Sequence, residues 1–596
     1  MEYKTRAEVP NEYKWDLSKM YKENNEIEKD IDKVNELTPK ILEFKSHIMD
    51  SSDSLYNFLK TTEEQDRIIT KLYVYSKMAF DVDTKDNKTK ALKMKIEKLN
   101  EGLSEQFSFI EPEMMESDYE TVLKYISENK KLKEYRFYLE DIYRFKPHSL
   151  SQKEEDIYVR ALNAFGNCSE TFNNINNADI DLGYIKNENG EDVKLTQSNY
   201  FVFMKSKDRS VRENAFNAMY NYFKNRKNTL ASTYVGEIKE SSFVTNVKKY
   251  NSTLERSLFN DNIDVSVYKN LIDTVHKNLD LMYDYMELRK KMLNLEKLHM
   301  YDIYVDLVKC DKDNIPFEEG KKILFEALKP LGEKYLNDLN KAFDEKWIDI
   351  YPGEGKRSGA YSWGCYDSYP YLLLNYNDTV DAVSTMGHEL GHSMHSYYSK
   401  SQNYVDSNYP IFLAEIASTV NEVLINDYMY KNAKTKEEKI FYLVDFLDTV
   451  RTTLYRQTMF AEFEMIMHQK EQDGIPLTEE EISNTYYELN KLYYGDNVVS
   501  DDNIRYEWSR IPHFYTPFYV YKYATGLSAA LSIASRILKG DTETRDNYLV
   551  FLSSGGNDYP LNILKKVGVD METPKPIEEA LSLFEEKQKI LKKLIK

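Results

Sequence analysis

The residues best suited to carry chemistry lie at positions 388–392, where the chain reads His-Glu-Leu-Gly-His. On a helix, His388 and His392 are one turn apart on the same face, so both imidazoles can reach one metal ion. Glu389 lies about 100° round that helix, where its carboxylate can approach a water molecule beside the ion. The spacing therefore predicts a metal centre with Glu389 as a general base.

The residues around this motif favour a helix. Asp378 or Asp381 is expected to cap its start, because a side-chain carboxylate can accept hydrogen bonds from the first free backbone N–H groups. Val383, Met386 and Leu390 recur at helical spacing and give the helix an apolar side. The motif is therefore expected to lie on a helix with one buried face.

A catalytic zinc ion takes three protein ligands and an open fourth position, so two histidines leave one ligand to be found. His395 faces the same way as His388, but helical rise carries it past the ion, and we expect it to pack or to support the site. Glu415 and Glu422 lie seven residues apart on one face of an apolar helical stretch. A carboxylate there is unfavourable unless it is paired or bound to metal, so either acid is a candidate ligand.

The composition favours a folded, helical protein. The 596 residues include only 20 Gly and 15 Pro, which argues against a turn-rich β architecture. Helical periodicity breaks near residues 180–195, where Asn189-Gly190 predicts a small hairpin. We therefore expect an N-terminal helical lobe over residues 1–200 and a catalytic region over residues 201–596.

The charge and the cysteines exclude several other classes of protein. Lys and Arg number 80 against 99 Asp and Glu, and the formal charge of −19 disfavours nucleic acid as a partner. Cys168, Cys310 and Cys365 are too few and too scattered to predict a disulfide framework or a paired-cysteine zinc site. The charged N-terminus and the lack of any long apolar stretch predict a cytoplasmic protein without a membrane partner. The oligomeric state stays open.

Three segments taken together resemble oligoendopeptidase F, within the wider group of thimet-oligopeptidase-like zinc peptidases. These segments are residues 388–392, residues 415–418 (Glu-Ile-Ala-Ser) and residues 511–526 (Ile-Pro-His-Phe-Tyr-Thr-Pro-Phe-Tyr-Val-Tyr-Lys-Tyr-Ala-Thr-Gly). Residues 9–17 resemble the N-terminal entry of that family, and residues 355–361 resemble its loop before the zinc helix. The likeness extends over nearly the whole chain.

This resemblance implies a mainly helical, two-lobed, gluzincin-like molecule with a deep substrate channel and a small β element beside the active-site helix. It implies one Zn²⁺ per chain, with His388, His392 and Glu415 as ligands and Glu389 as the general base. Glu422 would then support the site or contact substrate. The implied substrates are short unfolded oligopeptides.

His513 and the tyrosines that follow it are candidates for stabilising negative charge during hydrolysis. An imidazole and a phenol can donate hydrogen bonds to the oxyanion that forms when water attacks a peptide carbonyl, and a His and two Tyr do so in the thimet relatives. The spacing from histidine to tyrosine is shorter in this chain. We favour Tyr521, with Tyr515 and Tyr519 as the alternatives.

The sequence thus predicts a zinc-dependent endopeptidase, and residues 371–377 read as a strand that can pair with the substrate backbone. The nearest alternative is a helical zinc carboxypeptidase. That enzyme would need a fixed cation for the terminal carboxylate, for which Arg505 or Arg510 would serve. A third hypothesis is an inactive helical peptide-binding protein.

Overall fold

The computed structural model describes residues 3–308 and 314–596 and is mainly helical, as predicted. Within these residues the α-helices are, in chain order, α1 Asn24–Leu42, α2 Ser52–Asp81, α3 Asn87–Gln106, α4 Ile110–Glu116, α5 Tyr119–Glu128, α6 Arg136–Arg144, α7 Gln152–Phe165, α8 Asn167–Asn173, α9 Gln197–Met204, α10 Arg209–Lys224, α11 Lys227–Val247, α12 Thr253–Phe259, α13 Val265–His276, α14 Leu279–Met292, α15 Phe317–Ala327, α16 Glu333–Asp344, α17 Val380–Ser399, α18 Ile411–Asn432, α19 Lys436–Val450, α20 Arg456–Gln472, α21 Glu479–Tyr494, α22 Tyr521–Leu538, α23 Thr542–Ser553, α24 Pro560–Lys566 and α25 Lys575–Leu594. None of the helices in this described part of the chain combines the length and the apolar character that a membrane span requires.

The strands are few and short. They are β1 Tyr184–Lys186, β2 Asp192–Lys194, β3 Leu298–His299, β4 Ile348–Asp349, β5 Tyr361–Trp363, β6 Tyr371–Leu373 and β7 Val498–Val499. Strands β1 and β2 form an antiparallel hairpin whose turn contains Asn189-Gly190, where the sequence predicts one. Strands β3 and β7 pair in parallel, and the remaining three strands form a sheet in the order β4-β6-β5.

Packing divides the chain into two compact units, each assembled from three separate segments. The first unit comprises Met1–Ser149, Lys312–Met429 and Ile533–Gly568. The second unit comprises Leu150–Asp311, Tyr430–Ser532 and Val569–Lys596. The boundary expected near residue 200 lies inside the second unit. The units are defined by contacts between segments that are distant in sequence, and local composition does not indicate such contacts.

Each unit has its own core. In the first, apolar side chains from α1, α2 and the helices between residues 110 and 144 form a buried cluster that includes Ile41, Phe58 and Leu139. The second unit also buries charge: the Arg289 guanidinium and the Asp448 carboxylate lie 2.8 Å apart. A buried charge is tolerated when it is paired in this way. Cys168 and Cys365 are free thiols, and Cys310 lies outside the described residues.

Strand β6 holds the centre of the three-stranded sheet. It pairs in parallel with β4 on one side and antiparallel with β5 on the other. The prediction that residues 371–377 pair with a substrate backbone is therefore wrong for the strand itself, since neighbouring strands occupy both of its edges. Strand β5 is an edge strand, and its Ser362 hydroxyl lies 2.7 Å from the Ser393 hydroxyl of α17.

The N-terminus of α17 is capped by a residue that sequence reasoning missed. The Thr379 hydroxyl accepts a hydrogen bond of 3.1 Å from the Ala382 backbone N–H. Asp378, one of the two predicted caps, adopts a left-handed backbone with φ of 61°. Asp381, the other, lies in the first turn. Threonine supplies the same side-chain acceptor as aspartate, so the sequence alone did not separate them.

Two glycines let α17 and α18 approach each other closely. A Cβ atom added to Gly391 would lie 2.5 Å from the Ser418 Cα and 2.7 Å from the Ala417 carbonyl oxygen. One turn earlier, a Cβ on Gly387 would overlap the Ile425 side chain. The Asn421 amide also donates a 2.9 Å hydrogen bond to the Gly387 carbonyl. The two helices therefore meet backbone to backbone.

We expect Gly391→Ala to lower the free energy of unfolding by ~1–3 kcal/mol, the range for overpacking a well-packed contact. The added methyl group meets backbone atoms, which cannot rotate away as a flexible side chain can. Gly102→Ala in α3 is the matched control, because nothing lies within 4 Å of its added Cβ. There the higher helix propensity of alanine should raise stability by up to ~1 kcal/mol. Urea unfolding measures both; equal effects of the two substitutions would contradict the tight contact.

Candidate metal centre

Helix α17 brings the two motif histidines to one point. The Nε2 atoms of His388 and His392 lie 3.1 Å apart, and their rings meet nearly edge to face. Both side chains are about one-quarter exposed or less. Two imidazole nitrogens therefore converge from consecutive turns of the same helix, as the spacing predicts.

Helix α18 supplies a carboxylate to the same point. Glu415 Oε2 lies 3.6 Å from His388 Nε2 and 3.8 Å from His392 Nε2. Among the described residues, these three form the one group of His, Cys, Asp and Glu side chains whose donor atoms are close enough to share a metal ion. The close approach of α17 and α18 at Gly391 is what places Glu415 there.

Glu422 lies behind His388 instead of beside the converging atoms. Its Oε1 lies 3.0 Å from His388 Nδ1, the ring nitrogen that points away from Glu415. Burial disfavours the charged imidazole, but this hydrogen bond and the nearby carboxylates outweigh it and leave the pKa of His388 raised. A carboxylate bonded to the far nitrogen of a metal-binding histidine fixes the ring and its tautomer.

His392 and Glu389 titrate differently from His388. Burial, with the adjacent His388 charge, lowers the pKa of His392 to about 3, so its imidazole is neutral and able to donate a lone pair to a metal. Burial raises the pKa of Glu389, and the Glu415 charge adds to that rise. Glu389 is 8% exposed, and its carboxylate lies near the backbone of Ser362 in strand β5.

His395 packs inside the first unit. Its ring stacks on Tyr409 at a centroid distance of 3.6 Å and is fully buried. Burial lowers the pKa of His395 to about 3, so the ring is neutral. The expectation that it packs instead of joining the converging donors agrees with this position, since it is absent from the group of possible ligands.

The donor set fits a zinc ion. Zinc binds imidazole nitrogen and carboxylate oxygen at ~2.0–2.2 Å in tetrahedral sites, which puts neighbouring donors roughly 3.3–3.6 Å apart. The three separations among His388, His392 and Glu415 are 3.1, 3.6 and 3.8 Å. A set of three protein donors matches a catalytic zinc site, whereas a structural zinc site usually has four.

The structure places His513 and its tyrosines in the second unit. The Tyr523 hydroxyl lies within hydrogen-bond distance of the His513 ring, 3.2 Å from its Nε2. Tyr521, the favoured candidate from the sequence, is 1% exposed and packs against the Tyr268 ring at 5.2 Å. Burial raises the pKa of Tyr521 well above its usual range, so its hydroxyl keeps its proton.

The two alternative tyrosines lie in different surroundings. The Tyr515 hydroxyl lies 2.7 Å from the Thr233 hydroxyl, and its ring stacks on Phe172. The Tyr519 ring stacks on the His513 ring at 6.2 Å. The contact of Tyr523 with His513 was missed because it depends on where α22 begins. A start at Tyr521 turns Tyr521 and Tyr523, two residues apart, toward different faces of the helix.

Comparison with known proteins decides the family. The model of Peptidase family M3 matches residues 202–583, and the model described as Oligopeptidase F matches residues 113–181. The chain belongs to peptidase family M3. This M3 chain is 41% identical over 591 residues to Oligopeptidase PepF of Bacillus subtilis (strain 168), covering 99% of the chain and 88% of that protein. It is 39% identical to Group B oligopeptidase PepB of Streptococcus agalactiae over 99% of the chain and 98% of that protein.

Two solved structures have the same fold as this chain. A crystal structure from Chlamydophila abortus superposes with a TM-score of 0.95 at 38% identity, covering 99% of this chain and all of that one. The oligoendopeptidase-F from Enterococcus faecium superposes with a TM-score of 0.74 at 36% identity, covering 96% of this chain and 99% of that one. The M3 chain is a metalloendopeptidase, and its His388, His392 and Glu415 cluster is the candidate site for the catalytic metal.

We expect the two acids of α18 to differ in their effect on metal binding. Glu415→Ala removes one of three converging donors, so metal should be lost on dialysis. Glu422→Ala leaves all three donors and removes only the hydrogen bond to His388 Nδ1, so affinity should fall by ~10–100-fold. Competition with a chelator of known affinity, read by atomic spectroscopy, measures both. A greater loss of metal from Glu422→Ala than from Glu415→Ala would mean that Glu422 is the ligand and Glu415 the supporting residue.

Proposed function

We propose that this M3 peptidase is a zinc-dependent endopeptidase that hydrolyses short, unfolded oligopeptides in the cytoplasm. The observation that carries the proposal is the convergence of His388, His392 and Glu415 next to the Glu389 carboxylate. The relatives named oligopeptidase and oligoendopeptidase F support the substrate class. Zinc fits the mixed nitrogen and oxygen donors better than magnesium or calcium, which prefer oxygen ligands alone.

His388, His392 and Glu415 would hold the ion. When bound, zinc supplies Lewis-acid polarisation of a water molecule and of the scissile carbonyl. Glu422 keeps His388 oriented through the 3.0 Å contact with Nδ1, so that Nε2 faces the other two donors. These four side chains form the proposed zinc site, and all of them lie on two helices, α17 and α18.

Glu389 is the proposed proton carrier. Its carboxylate takes a proton from the attacking water, and the same carboxyl group then delivers that proton to the nitrogen of the leaving amine. Glu389 directly follows His388 on α17, so the helix fixes its place beside the donors. Its partial burial keeps bulk water from competing as a base.

Strand β5 is the proposed place for the substrate backbone. It is an edge strand of the three-stranded sheet, and Ser362 ties it to α17, the helix that carries both histidines. A peptide that adds to this edge gains main-chain hydrogen bonds irrespective of its side chains. Such binding suits an enzyme that accepts many peptide sequences.

The carboxypeptidase alternative gains no support from its two candidate cations. Arg505 Nη2 lies 2.8 Å from an Asp502 carboxylate oxygen, and Arg505 also bonds to the Asn484 amide. Arg510 lies beside the buried Glu507 carboxylate. A peptide blocked at both ends separates the two functions: an endopeptidase cleaves it internally, whereas a carboxypeptidase leaves it intact.

We expect Glu389→Gln to retain zinc and to lose turnover of such a doubly blocked peptide by ~10²–10⁴-fold. The amide keeps the shape of the side chain but cannot accept the proton. Zinc content by atomic spectroscopy and cleavage by mass spectrometry give the two readouts. Activity within tenfold of the wild type, with zinc retained, would exclude Glu389 as the base.

We further propose that His513 and a neighbouring tyrosine stabilise the oxyanion. The 3.2 Å contact with His513 favours Tyr523 over the buried Tyr521. Tyr515 contacts Thr233, and Tyr519 contacts His513 only through its ring. We therefore propose the Tyr523 hydroxyl, which lies against the imidazole, as the second donor.

Tyr523→Phe should lower kcat by ~10²–10³-fold, the loss seen when one oxyanion donor is removed. KM should stay nearly unchanged, because the interaction exists only in the transition state. Tyr521→Phe is the matched control, since it removes the same atom two residues away. Steady-state kinetics on one peptide decide between them: a large loss confined to Tyr521→Phe would restore the choice made from the sequence.

A further inference from the structure

A cavity of about 400 Å³ in the first unit shares His388 and Glu389 with the candidate metal centre. Its walls include Asp381, His388 and Glu389 of α17, Glu422 of α18, and Asn375 and Asn377 of the segment that follows β6. The substrate residue next to the scissile bond needs a space that adjoins the metal ligands. The side chains of this cavity can therefore select which residue that is.

The cavity is strongly acidic. Asp381, Glu389 and Glu422 contribute three carboxylates, and its lining contains no Lys or Arg. A divalent ion held together with Glu415 would bring one net positive charge to the site, so the carboxylates still outnumber it. The electrostatic field in the cavity therefore favours a cation and disfavours an anion.

The basic residues closest in sequence to the cavity lining form ion pairs with acids that do not line the cavity. Lys356 pairs with the buried Asp349 carboxylate at 2.8 Å, and Arg357 lies 3.3 Å from Asp81. The Asn375 amide donates hydrogen bonds of 2.9 and 2.7 Å to the carbonyls of Arg357 and Gly359, which holds their loop in place. Neither cation neutralises the cavity.

Of these three carboxylates, only Asp381 has no proposed role in metal binding or proton transfer. Glu389 is the proposed base, and Glu422 bonds to His388. The Asp381 side chain is exposed in the first turn of α17, with no ion pair or hydrogen bond to another described side chain. An acid there also suits the helix dipole, so a purely structural role must be tested separately.

We propose that this cavity binds a cationic group of the peptide, with Asp381 as the specificity-determining residue. The cation is a Lys or Arg side chain or the N-terminal ammonium. This inference rests on the proposed function, because it takes the occupant to be part of a peptide substrate. A half-exposed ion pair is a modest interaction, so the preference should be several-fold and should weaken at high salt.

The experiment uses matched peptides that differ by one residue. A doubly blocked neutral peptide receives Lys, Gln or Glu at each position in turn, and a second series carries a free N-terminus. We expect wild-type kcat/KM to be about three- to tenfold higher with Lys than with Gln at one position relative to the cut, and lower with Glu. If the ammonium is the occupant, unblocking the N-terminus should give that gain instead.

Three variants test whether Asp381 causes the preference for Lys over Glu. Asp381→Asn should reduce the Lys-to-Glu ratio at that position by about threefold or more, and Asp381→Lys should reverse it. Glu318→Gln, which neutralises an exposed acid in the first turn of α15, should leave the ratio unchanged. Thermal unfolding of all three reports any effect on helix stability.

Binding without turnover separates this inference from the proposed function. In a Glu389→Gln background, calorimetry with the same peptides should show the Lys preference and its loss in Asp381→Asn. Cleavage with an identical Lys-to-Glu ratio in wild type and Asp381→Asn would overturn the inference and leave the endopeptidase intact. Absence of cleavage by the wild type would overturn the proposed function, while an Asp381-dependent preference in binding would still support a cation site.

Discussion

The structure of the metal centre depends on the backbone contact between α17 and α18 at Gly391. Two helices with ordinary side chains at the contact lie 8–10 Å apart, whereas a glycine lets them approach more closely. At this separation Glu415 on α18 reaches the two imidazoles of α17, and Glu422, two turns later, reaches the far nitrogen of His388. Gly391 lies inside the motif for this reason, between Glu389 and His392, although it carries no reactive group.

The carboxylates around this contact favour the binding of a cation. Glu389, Glu415 and Glu422 gather around two imidazoles in a partly buried space, where like charges repel more strongly than in water. A divalent ion relieves that repulsion, and its binding free energy then adds to the stability of the folded state. The same accumulation of carboxylates extends through Asp381 into the adjoining cavity. The proposed zinc binding and the proposed preference for a cationic substrate group would thus have a common electrostatic origin.

The sequence predicts best those features that depend on residues close together along the chain. The spacing of His388 and His392 places both rings on one helical face, and the structure brings them together. The choice between Glu415 and Glu422 could not be made from the residues, because both lie on one face of α18 and only its alignment with α17 separates them. The residues of the first unit come from three distant segments, which no local pattern indicates. Pairing on both sides of β6 and the contact of Tyr523 with His513 likewise depend on tertiary structure.

The most direct test of this account is a crystal structure of the zinc-loaded protein with anomalous diffraction recorded on either side of the zinc edge. We expect one anomalous peak per chain, ~2.0–2.2 Å from His388 Nε2, His392 Nε2 and Glu415 Oε2, with Glu422 still bonded to His388 Nδ1. A peak coordinated by Glu422 in place of Glu415, or located away from α17, would contradict it.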